Sequence, residues 1–153
     1  MSAISTDDAI HAINLTKEAR ISAPIEITFE AVLEELGPGC EAPDGKSLQM
    51  KLEAKPGGRW FRDLGHNAGH FWGHVQVIRP PTLLEICGPM FMSYPAVNFV
   101  QYRLTPDSGG TLLTIRHQAF GHIPADDREG VHAGWEVSLK KVREIAERLL
   151  AAR

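Results

Sequence analysis

The segment from Gly110 to Leu149 limits the folds open to this chain more than any other part of it. Its first part, GTLLTIRHQAFG, alternates in a way that predicts a half-buried strand, with Leu113, Ile115 and His117 on one face. Its second part, GWEVSLKKVREIAERLL, repeats apolar residues at steps of three and four, which predicts a long helix with one apolar stripe. If these two faces pack together, they enclose a space that contains the His117 imidazole.

The rest of the chain predicts a strand, a helix and several further strands, in that order. Alternation predicts a first strand over 15–22, and Pro24 favours a helix start, after which apolar residues share one helical face as far as Leu36. Beyond Gly37-Pro38-Gly39, short alternating segments separated by tight turns indicate an antiparallel meander. We therefore expect an α+β fold in which a curved antiparallel sheet wraps around the long C-terminal helix.

Length and charge exclude several classes of protein. We expect a single domain over residues 1–153, with a loosely ordered lead-in at residues 1–13. The formal net charge of −3 argues against a nucleic-acid binder, because such proteins usually carry a basic surplus. No apolar run reaches the roughly 18–20 residues of a membrane span, and the N-terminus lacks a signal-peptide pattern. Cys40 and Cys87 are expected to be reduced thiols, which predicts a cytoplasmic protein.

Several short motifs resemble one known superfamily. They are the turn and strand Pro56–Trp60, the strand Gly73–Pro81, the strand Gly110–His117 and the pair Gly134-Trp135 at the start of the long helix. Together with the helix after Pro24, they resemble the START-related, birch-pollen-allergen-like (SRPBCC) superfamily. Within it, they are most similar to the bacterial homologues of the heat-shock-protein ATPase activator.

The resemblance implies a helix-grip fold, with one or two short helices after the first strand. It also implies a cavity between the sheet and the long helix, which in this superfamily takes lipids, sterols, polyketides or aromatic metabolites. Gly88 stands where such sequences usually carry a bulky aromatic residue, which implies a cavity enlarged at that point.

His117 is the candidate on which a function would most directly depend. Alternation directs it inward, where a neutral imidazole needs hydrogen-bond partners for both nitrogens and where burial lowers its pKa. It would then be a ligand anchor, a general base, or a core histidine bonded to Tyr102 or to a backbone carbonyl.

The predicted pocket brings together inward-facing residues from several strands, one loop and the last helix. The apolar segment Met90–Tyr94, between two prolines, is a wall or gate of the cavity, a dimer contact, or an ordinary cap of the core. Gly134 within the helix points to close approach of another backbone or of a ligand. The predicted ligand-binding residues are Trp60, Phe71, Ile86, Met90, Met92, Tyr102, His117, Trp135 and Leu139.

Other polar residues are not assigned a role in chemistry. His66, His70 and His74 are spaced four apart, but no acidic residue or cysteine lies among them, so we expect no metal site. We also expect no cofactor and name no catalytic residue. Glu30, Glu34 and Glu35 are expected on the solvated side of the first helix.

Three hypotheses about function follow. The first is binding of a mostly apolar small molecule in the predicted cavity. The second is a cyclase or hydrolase that uses His117 as a base with Tyr102 as its partner. The third is an interaction module associated with a chaperone, which would favour a filled interior. Whether the chain forms a homodimer is left open.

Overall fold

The computed structural model describes residues 9–153, which form one seven-stranded sheet and two helices. In chain order, the elements are β1 His11–Ile21, α1 Ile25–Leu36, β2 Met50–Leu52, β3 Arg59–Gly65, β4 Ala68–Arg79, β5 Leu83–Gly88, β6 Ala96–Asp107, β7 Gly110–Gly121 and α2 Ala125–Ala151. No helix in this part of the chain is both long and apolar enough to cross a bilayer.

The sheet is antiparallel throughout, with strand order β1-β7-β6-β5-β4-β3-β2. Strands β2 to β7 form the predicted meander, and β1 returns to pair with β7. The sheet is curved, and the long helix α2 lies against it with its apolar stripe buried, from Val131 through Trp135 and Leu139 to Ala146. The predicted helix-grip fold is confirmed.

Two predicted boundaries are corrected. Strand β1 begins at His11, so residues 11–13 pair with β7 instead of belonging to a loose lead-in, while residues 1–8 of that lead-in lie outside the described part. Helix α2 begins at Ala125, six residues before its first buried apolar residue, Val131. The cause is Pro124, which lies directly before the helix and favours a helix start. One helix, α1, follows the first strand within the described residues.

A bulge in the pairing of β3 with β4 changes which side chains face inward. Trp60 lies opposite Gly73, whereas Phe61 lies opposite Phe71, so Trp72 is the extra residue between two paired positions. A bulge of this kind reverses the alternation on one side of it. Trp72 therefore turns toward the interior, and Phe71 turns to the outer face.

Gly88 is required by strand packing and does not enlarge the cavity. A Cβ atom at this position would lie 2.5 Å from the Trp72 carbonyl oxygen and closer still to the Gly73 Cα. The backbones of β4 and β5 approach so closely here that no side chain fits. The enlarged cavity implied by the resemblance is therefore wrong, because the backbone of β4 occupies the space beside Gly88.

Candidate functional site

A cavity of about 330 Å³ lies between the sheet, the end of α1 and the first half of α2. Every layer of the fold contributes to its wall. The lining residues are Glu35, Leu36, Cys40, Trp60, Trp72, Met90, Phe91, Tyr102, His117, Asp126, Asp127, Gly130, Val131, Gly134, Trp135 and Ser138.

His117 is fully buried in the wall of this cavity and uses both of its ring nitrogens. The Trp135 indole Nε1–H donates to His117 Nδ1 over 3.0 Å, and His117 Nε2 lies 2.7 Å from Asn98 Oδ1. Because an indole nitrogen can only donate, Nδ1 must be the unprotonated nitrogen. His117 is therefore the Nε2–H tautomer and donates to Asn98.

The hydrogen bonds continue from Asn98 to the end of β5. Its amide nitrogen donates to the carbonyl oxygens of Gly88 at 3.3 Å and Pro89 at 3.1 Å, and contacts Met92 Sδ at 3.4 Å. One directional chain thus runs from α2 through β7 and β6 to the loop after β5. Each bond orients the next group, so the chain fixes the imidazole and the loop together.

This arrangement corrects the expected partner of His117. The imidazole is bonded to Trp135 and Asn98, and not to Tyr102. Burial lowers the pKa of His117 from 6.5 to about 4, so the ring is neutral at ordinary pH. With Nδ1 and Nε2 both engaged, neither nitrogen is free to remove a proton from a bound molecule.

Sequence reasoning missed Asn98, although the signal was present. Asn98, Val100, Tyr102 and Leu104 alternate along β6, and all four are buried. Extending the predicted strand back by two residues would have placed the Asn98 amide on the inner face, near His117 on the neighbouring strand.

Glu35 is the second residue that the sequence analysis misplaced. It lines the cavity instead of the solvated side of α1. Burial raises the pKa of its carboxyl from 4.5 to about 7, although a hydrogen bond from Ser138 and the charge of Lys141 act in the opposite direction. The signal was helical spacing, because Glu35 follows the buried residues Thr28 and Ala31 at steps of three and four.

Tyr102 brings a second polar group to the same part of the cavity. Its side chain is 1% exposed, and its hydroxyl makes no hydrogen bond with any residue of the described part. In this part of the chain, every side-chain oxygen or nitrogen that is closed off from open space has a hydrogen-bond partner. Because the Tyr102 hydroxyl has none, it must be accessible from the cavity that Tyr102 lines. Burial, followed by the charges of Glu35 and Cys40, raises the pKa of the phenol well above 10, and it stays protonated.

The remaining walls are mainly aromatic. Trp60 and Trp72 pack edge to face with ring centres 5.0 Å apart, and Phe91 packs against Trp72 at 6.4 Å. On the other side, Trp135 lies edge to face with Tyr102 at 6.2 Å. Edge-to-face pairs of this kind are favourable and hold one another in place.

The structure brings five of the nine predicted pocket residues onto the cavity wall: Trp60, Met90, Tyr102, His117 and Trp135. Ile86, Met92 and Leu139 are buried in the core behind that wall. Phe71 is 39% exposed and packs against His74 on the outer face, with ring centres 4.7 Å apart. Its predicted inward position is wrong because of the bulge at Trp72, the residue that lines the cavity in its place.

Two glycines of α2 open the cavity wall on the helix side. A Cβ atom at Gly130 or Gly134 would find no other atom within 4 Å. The close approach of another backbone, which was one explanation for Gly134, is therefore excluded within the described residues. Both glycines are exposed residues of the cavity wall, and each costs about 1 kcal/mol relative to alanine in a helix interior.

The loop between β5 and β6 covers the cavity and is tied to α2. The Tyr94 hydroxyl donates to the Asp127 carboxylate in the first turn of the helix. Burial, followed by this hydrogen bond, raises the pKa of the Tyr94 phenol. Met90 and Phe91 from the same loop line the cavity, so the segment forms one of its walls.

The three closely spaced histidines do not converge. The His70 Nδ1 accepts a hydrogen bond from the Trp72 indole at 3.1 Å, and His74 packs against Phe71. Among residues 9–153, no group of three or more His, Cys, Asp or Glu side chains has a metal-binding arrangement.

Comparison with known proteins agrees with the fold. The sequence profile of a family described as "Activator of Hsp90 ATPase homolog 1-like protein" matches residues 45–147, whereas no curated protein matches the chain. An uncharacterised protein from Rhizobium leguminosarum has a similar structure, with a TM-score of 0.73, 18% identity, and coverage of 92% of this chain and 97% of that one.

Two further proteins have similar structures. CalU16 from Micromonospora echinospora has a TM-score of 0.60 and 20% identity, with 94% of this chain and 90% of that chain covered. DynU16, described as a protein in the dynemicin biosynthetic locus, has a TM-score of 0.63 and 17% identity, with 92% and 48% covered. At such identities, these likenesses show the shared fold.

The profile match extends over more than half of the chain, from the loop before β2 to the last turns of α2, and so includes most of the cavity wall. The chain therefore belongs to the family described as Activator of Hsp90 ATPase homolog 1-like protein.

Proposed function

We propose that this protein binds a mostly apolar small molecule in the cavity between the sheet and α2. The observation that carries the proposal is the cavity itself, whose volume of about 330 Å³ and mostly apolar wall with five aromatic side chains are typical of small-molecule sites. We propose Trp60, Met90, Tyr102, His117 and Trp135 as contacts of the ligand.

The glycines of α2 support this proposal. Gly130 and Gly134 are one helical turn apart and both line the cavity, and a methyl group would fit at either position without a clash. A helix that had no ligand to accommodate would be more stable with alanine at both positions. Room for a bound molecule gives a physical reason for the two glycines.

The enzyme hypothesis in its original form receives little support. It requires His117 to act as a base with Tyr102 as its partner, but the imidazole is bonded at both nitrogens by other residues. Its lowered pKa also makes it a weak proton acceptor near neutral pH. We therefore regard His117 as a fixed part of the cavity wall.

The interaction-module hypothesis predicts a filled interior, which is the opposite of the cavity described above. The family description refers to an Hsp90 ATPase activator, but that name alone gives this chain no chaperone-binding surface. A lipid, a polyketide or an aromatic metabolite remains the class of ligand that we propose.

Cys40 and Cys87 are free thiols, which supports the proposed cytoplasmic location.

A cavity-filling substitution tests this function. Gly134→Leu adds an isobutyl group to a residue that lines the cavity, without a clash at its Cβ, and leucine favours the helix over glycine, so the variant is expected to fold. Ala133→Leu adds the same bulk at an exposed position outside the cavity and is the matched control. The probe is N-phenyl-naphthylamine, whose fluorescence rises when it enters an apolar site.

We expect the probe to bind the wild-type protein and the Ala133→Leu control alike, and to bind Gly134→Leu at least about tenfold more weakly, since the cavity is then partly filled. Equal binding by all three proteins would place the probe elsewhere and contradict the proposed function.

A further inference from the structure

The charged residues that line the cavity are all acidic. Glu35 comes from the end of α1, and Asp126 and Asp127 come from the first turn of α2, whereas no lysine or arginine of residues 9–153 lines the wall. His117 supplies no positive charge, because its Nδ1 accepts a hydrogen bond from Trp135. An apolar cavity with this wall has an excess of negative charge.

The basic residue whose charge acts on Glu35 is already engaged elsewhere. Lys141 donates to the carboxylate of Glu41 and does not line the cavity. Ser138 gives Glu35 a hydrogen bond but no charge. Ionised Glu35 therefore has no basic residue beside it on the cavity wall, and a cation brought into the cavity would lower the cost of its charge.

The unpartnered Tyr102 hydroxyl independently indicates that the cavity can take a ligand with a hydrogen-bonding group. Its oxygen can accept a hydrogen bond, and Glu35 is close enough for its charge to act on the phenol. A protonated amine has three donors, which suit a carboxylate and a phenol oxygen at the same time. A ligand carboxylate, by contrast, would be repelled by the acidic wall.

The aromatic wall completes a site for an organic cation. Trp60 and Trp72 form one pair on the wall, and Tyr102 and Trp135 form another. The faces of aromatic rings attract cations, tryptophan most strongly, and the attraction grows when water is excluded. Apolar bulk and positive charge can therefore be bound in the same space.

We propose that the ligand is a lipophilic amine, an apolar body with one protonated nitrogen, whose ammonium group binds between Glu35 and Tyr102 while the aromatic walls enclose the rest. This inference rests on the proposed function, since it names the chemical class of the molecule that enters the cavity. A neutral or anionic ligand of the same shape binds more weakly.

The experiment compares three probes that share one aromatic body: naphthylmethylamine, naphthylmethanol and naphthoate. Their affinities are measured by calorimetry for the wild-type protein, for Glu35→Gln, and for Glu34→Gln as the control. Glu34 is the next residue along α1, but its carboxylate pairs with Arg148 outside the cavity at 2.6 Å.

At about pH 8, we expect the amine to bind the wild-type protein about ten- to a hundredfold more tightly than the alcohol, as a charge-assisted hydrogen bond would provide. Naphthoate is expected to bind most weakly. Glu34→Gln keeps the preference, and Glu35→Gln abolishes it by weakening the amine alone.

Acidity gives a second readout. The preference should disappear near pH 5, where Glu35 is protonated, and amine binding near pH 7 should release protons because the cation lowers the pKa of the carboxyl. The titratable and charged groups that interact with Glu35 or its neighbour Cys40, or that share the cavity wall with it, are Lys141, Asp126 and Asp127 on α2, Cys40 and Glu41 after α1, Tyr102 on β6 and the neutral His117 on β7.

The outcomes separate the two proposals. If the alcohol binds in the cavity and the amine binds no more tightly, or if the preference survives in Glu35→Gln, the amine inference is overturned and the binding function stands. Tightest binding by naphthoate would also overturn it. If none of the three probes binds, both proposals fail.

Discussion

The substitution Glu35→Gln should stabilise this protein at alkaline pH. The glutamine has nearly the same shape, can still accept a hydrogen bond from Ser138, and removes an ionised carboxylate from the cavity wall. The pKa of this carboxyl is raised from 4.5 to about 7 by burial. Each pKa unit corresponds to about 1.4 kcal/mol, so ionising Glu35 in the folded protein costs up to about 3 kcal/mol above pH 7.

The sign of this effect follows from proton binding. Between pH 4.5 and about 7, the folded protein keeps the Glu35 proton and the unfolded chain loses it, so the free energy of unfolding falls as pH rises. His117 acts in the opposite direction, because its pKa is lowered from 6.5 to about 4 and acid favours the unfolded chain. The two contributions oppose each other between about pH 4.5 and 6.5.

Urea unfolding at several pH values measures both effects. We expect Glu35→Gln to be more stable than the wild-type protein by up to about 3 kcal/mol near pH 8, with the gain falling to about zero near pH 4.5. The stability of the wild-type protein should change little between about pH 4.5 and 6.5, where the contributions of Glu35 and His117 oppose each other. The variant lacks the Glu35 contribution, so it should lose stability as the solution is acidified toward pH 4 and His117 becomes protonated in the unfolded chain.

Glu34→Gln is again the control. It removes an ion pair with Arg148 that is partly exposed, and we expect it to cost less than about 1 kcal/mol and to give no gain at alkaline pH. Equal stability of Glu35→Gln and the wild-type protein near pH 8, or a gain that does not depend on pH, would refute the reasoning.

Three further substitutions test the packing around the cavity, each by urea or thermal unfolding. Asn98→Ala leaves the buried His117 Nε2–H without an acceptor and should cost about 3 kcal/mol, whereas a loss below about 1 kcal/mol would mean that water replaces the amide. Gly88→Ala forces the new Cβ against Gly73 and should cost about 1–3 kcal/mol or more, and an unchanged midpoint would contradict the close approach of β4 and β5. Gly134→Ala should instead stabilise by about 1 kcal/mol, because the helix gains alanine where space is open, and a loss of stability would show that the space is filled.

The fold was predictable because its signals are local and agree with one another. Alternation along β7 and helical spacing along α2 predicted the two surfaces that enclose the cavity, and both are as expected. Proline and glycine correctly marked the ends of α1. The predicted starts of β1 and α2 were less accurate, because both elements extend beyond their clear apolar pattern. The first residues of β1 are held by pairing with β7, and the first turns of α2 follow from Pro124.

The site was predicted only in part, and the reasons are specific. Phe71 was assigned to the inner face because period-two alternation assumes an uninterrupted strand, and a bulge cannot be read from a single sequence. Glu35 was assigned to solvent because glutamate is usually exposed, although its spacing from Thr28 and Ala31 placed it at the edge of the buried face. The partner of His117 depends on which strand lies beside β7 and in what register, which no local pattern contains.

The positions of the residues that destabilise the fold bear on the proposed function. Within residues 9–153, every enclosed side-chain oxygen or nitrogen has a hydrogen-bond partner, including those of His117 and Asn98. Two kinds of unfavourable feature lie around the cavity: a carboxylate that costs up to about 3 kcal/mol when ionised, and two helix glycines that cost about 1 kcal/mol each. Replacing Glu35 and Gly134 should therefore raise stability, which is the usual behaviour of residues retained for binding. Destabilising groups placed around one space, in a fold whose enclosed polar groups are satisfied, support the proposed binding of a small molecule there.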